Sequence, residues 1–158
     1  YRRSLYTFWK RTVPFPFLNV FDAPDREFCV ARRSATNTPL QALTLLNEPS
    51  MIQAAKGLAA RVTPLSSQSL ASAASPSSQP IDALKAAFRI ATGRHANEIE
   101  IEELQQLLTQ LQHSFQERPD EARRWLGATE TQLIDTNQAA FAAVCNVILN
   151  LDETITKD

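Results

Sequence analysis

The sequence predicts an all-α fold, a helical bundle of about five main helices with an irregular aromatic- and Arg-rich segment at its N-terminal end. Three observations lead there. Apolar residues recur at helical spacing in successive stretches, those stretches open on capping residues, and the alternation of a strand is scarce throughout.

Residues 1–37 come first and carry the weakest periodicity. Eight of the chain's twelve aromatics, Tyr1, Tyr6, Phe8, Trp9, Phe15, Phe17, Phe21 and Phe28, fall within them. A segment this aromatic needs something to pack against. If residues 4–11 are helical, Tyr6 and Trp9 share one face with Arg2, Arg3, Lys10 and Arg11 around it, and Phe15 and Phe17 extend the apolar character. These residues are candidates for a docking surface. The chain opens at Tyr1 without Met, and its expected partner is upstream chain of the same protein, of which this sequence is then a fragment.

Regular signals begin at residue 38. Thr38 can cap, Pro39 suits a first helical position and Gln41 completes a capping box, so a short helix is expected to about Asn47. After Glu48-Pro49, the residues Met51, Ala55, Leu58 and Val62 form one apolar stripe, giving two helices over 38–62. Residues 63–80 are rich in Ser, Ala and Pro and carry no charge; such a composition offsets little ordering entropy and predicts a flexible surface loop. Residues 81–158 continue the same domain. Ile81, Leu84, Phe88 and Ala91 make a third stripe, ended by Gly93. Asn97 through Glu100 is a capping signal for the most regular stripe, Ile101, Leu104, Leu108, Leu111 and Phe115. Pro119-Asp120-Glu121 opens a short helix through Trp125. Asp135 caps a last helix whose buried face is Phe141, Val144, Cys145 and Ile148.

Composition sets limits on function. A chain of 158 residues with 44% hydrophobic and 21% charged residues and net charge -1 is an ordinary globular length and balance. No apolar run approaches the roughly 20 residues a membrane-spanning helix needs, so no membrane insertion is expected. Cys29 and Cys145 lack the spacing of a zinc knuckle or a haem attachment, and no cofactor is expected in this part of the protein. His95 and His113 have no ligand-spaced partner and read as solvated. No phosphate-binding glycine loop and no GxSxG motif occurs. Residues 1–33 hold seven Arg/Lys against three Asp/Glu, but near-neutral overall charge and the prolines beside Phe15 and Phe17 argue against nucleic acid.

The one concentration of polar chemistry is the run from Asp22 to Thr38. Asp22, Asp25 and Glu27 could bind a cation or act as general acid and base, with Arg32 and Arg33 clamping an anion and Asn37 beside them. The commoner use of such groups is structural: acids and amides cap turns, and arginines pair with them to fix a loop. Structure is the expected role here.

The stretches YRRSLYTFWKRTVP, FDAPDREFCVARRSATNTPLQALTLLNEP, AFRIATGR and NVILNLDETITKD together resemble the C-terminal part of a planctomycete-type family, the domain of unknown function 1553. Thr154-Ile155 departs from the endings usual in that family. The resemblance implies an exported cell-envelope protein, large, with further domains upstream and in some members a haem c carried by another domain. It implies no established reaction and no catalytic residues. Two expectations follow from different classes: a structural and interaction module that packs through residues 1–37, or a contributor to the active site of an exported enzyme acting on polysaccharide or linked to haem redox chemistry. The first is preferred, and the direction in which the Asp22 run points separates the two.

Overall fold

The computed structural model describes residues 6, 8, 10, 13, 15–24, 29–32, 36, 38–69, 79–127 and 135–155, the side chains of 64–69 and 79 excepted. The chain divides into two compact units, Tyr1–Leu45 and Leu46–Asp158. The division falls inside a helix rather than at residue 37 or 38, where the sequence changes character.

Among the described residues all regular structure is helical. The first unit contains α1 (Pro16–Val20), a single turn with proline at its start, and most of α2 (Pro39–Asn47). Helix α1 lies within the segment expected to be irregular. Its Pro16 fixes the φ of a first helical residue, and the Ala23 amide closes back on the Leu18 carbonyl at 2.9 Å. Helix α2 starts on its expected capping box: the Thr38 amide donates to Gln41 Oε1 at 3.3 Å and the Gln41 amide to Thr38 Oγ1 at 3.4 Å.

The second unit is a bundle of α3 (Pro49–Ser69), α4 (Gln79–Thr92), α5 (Glu98–Glu117), α6 (Pro119–Leu126) and α7 (Thr136–Leu149), closed by the short α8 (Asp152–Ile155). Helix α7 is central and packs against α3, α4, α5 and α6. Its sequence, TNQAAFAAVCNVIL, is apolar nearly all round, as a helix enclosed on several sides must be. Each sequence stripe meets this core. Ala55, Leu58 and Val62 of α3, Leu84 and Phe88 of α4, Ile101, Leu108 and Phe115 of α5, and Val144, Cys145 and Ile148 of α7 are all buried. Small residues let the helices approach closely, since Ala59, Ala87, Ala122, Ala139 and Ala140 are also buried.

Helix ends follow the chemistry that the sequence offers. Gly93 and Gly127 adopt positive φ, 83° and 64°, in the left-handed region that L side chains rarely adopt, and terminate α4 and α6. Asp135 caps α7 by accepting the Asn137 amide at 2.9 Å. The loop expected over 63–80 is shorter than its composition suggested, because α3 continues to Ser69 and α4 begins at Gln79. Extending a nucleated helix costs far less than starting one. Pro64 removes one amide from the ladder, while the neighbouring Thr63 hydroxyl donates to the Ala59 carbonyl at 2.8 Å. Residues 70–78 of that expected loop lie outside the described residues.

Candidate functional site

Asp22 is the pivot of the polar run. Its φ of 52° is left-handed, a conformation that aspartate tolerates better than most residues. This turn brings the carboxylate toward Thr36, whose amide donates to Asp22 Oδ2 at 2.8 Å and whose hydroxyl donates to the same oxygen at 2.6 Å. The buried Gln41 adds a third donor at 3.3 Å through Nε2. That amide nitrogen also donates to the Val20 carbonyl at 2.8 Å and lies 3.2 Å from Thr36 Oγ1. One side chain of α2 thereby ties the end of α1, the Asp22 turn and Thr36 together, while its Oε1 and amide complete the helix cap.

The other sequence candidates distribute as follows. Arg32 is exposed, and Asp25, Glu27, Arg33 and Asn37 lie outside the described residues. Among the docking candidates, Tyr6 is 69% and Phe15 48% exposed, and Phe8 beside them is 81% exposed. Phe17 is half-buried and stacks against Phe21, ring centroids 4.7 Å apart and tilted by 45°. Trp9 lies outside the described residues. Among those that are described, no group of three or more His, Cys, Asp or Glu side chains is placed to hold a metal ion, and no helix is long and apolar enough to cross a membrane.

Sequence reasoning missed a second polar centre, in the other unit. Arg94, the residue after the α4 terminator Gly93, uses its whole guanidinium. Its Nη1 and Nη2 grip Glu100 at 2.9 and 2.5 Å, Nε and Nη2 grip Glu153 at 2.8 Å each, and Nη1 reaches the His95 carbonyl at 3.2 Å. The planar cation also lies 4.8 Å from the centroid of the Phe88 ring. Two bidentate pairs from one arginine join the end of α4, the start of α5 and α8. Glu100 accepts the Asn97 amide at 2.7 Å as well, so the α5 cap and the ion pair share one carboxylate. Hydrogen bonds from Arg94, and then from the Asn97 amide, pull the Glu100 carboxyl down to about 2. Glu153 is likewise lowered by Arg94, and the Arg94 guanidinium is raised by the two carboxylates. The signal in the sequence was Arg94 itself, a cation immediately after a helix-ending glycine.

Lys56 makes a third specific contact, donating from Nζ to the Leu126 carbonyl at 2.6 Å with Trp125 5.8 Å away. A cation on the last carbonyls of α6 complements the negative end of its dipole. Burial lowers the lysine's pKa. A shallow depression along α5, lined by Glu102, Gln105, Gln106, Thr109 and Gln110, is formed by residues of that one helix and has the character of a solvated polar face.

A family model described as "Protein of unknown function (DUF1553)" matches residues 1–108. The chain belongs to this family. No curated protein and no solved structure matches it. The part of the DUF1553 chain covered by the match includes both Gln41 and Arg94, whereas Glu153, the second partner of Arg94, lies beyond it.

Proposed function

We propose that this chain is a helical structural and interaction module of a larger, exported cell-envelope protein, and that its aromatic N-terminal segment docks on upstream domains of the same parent chain. The observation that carries this reading is the exposure of Tyr6, Phe8 and Phe15 at 69%, 81% and 48%. Large aromatics left open to water mark interaction surfaces. Lys10 and Arg32 are exposed in the same unit and suit the polar rim that such surfaces have. The Asp22 carboxylate supports a structural role as well, because it receives amide and hydroxyl donors from Thr36 and an amide donor from Gln41 within its own unit. A haem c, where the parent protein has one, belongs on this reading to another domain.

Hydrogen exchange on the chain alone and within its full-length parent tests the proposal. The amides of Tyr6, Phe8 and Phe15 are expected to exchange more slowly in the parent than in the isolated chain, with exchange in α5 and α7 unchanged. Equal exchange of these amides in both samples would remove the docking role.

A further inference from the structure

The surface of the first unit combines two properties that together define what can cover it. We propose that the upstream surface on which this unit docks is an apolar face rimmed by carboxylates; this rests on the docking role proposed for the unit and assigns the chemistry of its partner. Apolar exposure extends beyond the aromatics. Val13, Val30 and Leu40 are each more than half exposed, in addition to Tyr6, Phe8 and Phe15 of the same unit. Helix α2 shows why. A helix that meets only water on its outer side turns amides outward and leucines inward, yet α2 buries Gln41 with Leu45 and leaves Leu40 57% exposed. The Gln41 amide serves the Val20 carbonyl and the Asp22 turn within the unit, and none of the nine residues of α2 is charged.

Charge sets the rest of the partner. Residues 1–45 hold seven Arg/Lys against three Asp/Glu, a net of +4. Among the described residues of the unit the charged ones are Lys10, Asp22 and Arg32; both cations are exposed, and the carboxylate receives Thr36 and Gln41. Covered by a neutral apolar surface, Lys10 and Arg32 would lose water without gaining a partner. Carboxylates at the edge of the partner restore that interaction, and they steer the encounter in a way that salt screens. The competing occupant is a second copy of this chain, whose residues 46–158 hold nine Arg/Lys against fourteen Asp/Glu. Four of those acids, Glu100, Glu153, Asp120 and Glu121, are already paired with arginines of their own unit. Docking of first unit on second unit between copies would also leave one surface of each kind open at every step, building rings or open chains, whereas an upstream surface closes within one molecule.

Amide exchange in the full-length parent tests the rim. Lys10→Glu combined with Arg32→Glu is expected to speed exchange at Tyr6, Phe8 and Phe15 about tenfold or more at about 0.05 M salt, and much less at about 0.5 M, where screening is strong. Lys10→Gln with Arg32→Gln should give a smaller change in the same direction, and Phe8→Ala should speed exchange at both salt concentrations. A thermal melt of the isolated chain with the two charge reversals, expected to match the wild type, shows that the unit itself is intact. Charge reversal without effect, where Phe8→Ala does speed exchange, would overturn the carboxylate rim and leave docking in place. Wild-type amides that exchange alike in the parent and in the isolated chain would remove docking and rim together. Sedimentation of the isolated chain supplies the remaining arm: self-association that the same charge reversal abolishes would put the carboxylates on a second copy and overturn the upstream partner.

Discussion

Gln41 shows how much one amide side chain can organise. Its Nε2 serves the Val20 carbonyl, Asp22 and Thr36, and its Oε1 and backbone amide complete the α2 cap with Thr38. Gln41→Ala would leave the Val20 carbonyl without its donor and free the Asp22 turn, at a cost of about 1–3 kcal/mol for the groups left unpaired. The expected readout is local: the Thr36 amide, which donates to Asp22, should exchange about 10 to 100 times faster, with α7 unaffected. An unchanged Thr36 rate would mean that the Asp22 turn holds without Gln41. At Arg94 the same scale of reasoning gives a pH dependence. Glu100 has its folded-state pKa lowered to about 2, so its contribution to stability is complete above the ordinary carboxylate range and disappears as pH falls toward about 2. Titration of the Glu100 carboxyl by NMR should follow that low value, and Arg94→Gln should move it back toward the ordinary range. It should not return fully, because the Asn97 amide still bonds it. A wild-type Glu100 that titrates like an ordinary glutamate would contradict the paired geometry.

At the scale of the element, α5 is the best-specified piece of the chain. Its stripe places Ile101, Leu108 and Phe115 in the core, with Leu104 and Leu111 half-buried between them. Leu108 is 6% exposed and belongs to the main apolar cluster. Leu108→Ala should cost about 2–5 kcal/mol, the range for truncating a buried leucine. Urea denaturation checks it, and a loss below about 1 kcal/mol would mean that the site collapses without a cavity. Elements of this kind were legible in the sequence because caps and stripes are local. Thr38 with Gln41, Asp135 with Asn137, and Gly93 at the end of α4 are written within a few residues of the helix they bound. Other features were not local. Helix α8 has no stripe, and the Arg94–Glu153 pair spans 59 positions with no periodic pattern to announce it. The extension of α3 to Ser69 was hidden because composition reports how readily a helix starts, while extension depends on the helix already present. Within the polar run, the sequence offered Asp22 as one candidate beside Asp25, Glu27, Arg32, Arg33 and Asn37 and did not single it out. Its companions Thr36 and Gln41 emerged from the fold, since their bonds to Asp22 span 14 and 19 positions.

For the second unit as a whole, the decisive fact is that α7 is enclosed by α3, α4, α5 and α6. Cys145 lies on that helix, fully buried, and desolvation pushes its thiol up to about 12. Thiols react as thiolates, so two separate barriers protect it, lack of access and lack of ionisation. Cys29 is exposed. A maleimide or disulfide reagent at neutral pH should therefore modify Cys29 promptly and reach Cys145 only when the bundle opens. If that opening is the global transition, a stability of about 5 kcal/mol or more slows Cys145 by a factor of about a thousand or more relative to Cys29. The rate becomes a reporter for other changes. Leu108→Ala, which weakens the core, should speed Cys145 labelling in proportion to its effect on the equilibrium. Mass spectrometry of peptides carrying each cysteine, sampled over time, measures both rates in one experiment. Comparable native rates for the two thiols would show that α7 opens without global unfolding, and α7 could then no longer be regarded as the structural centre of this unit.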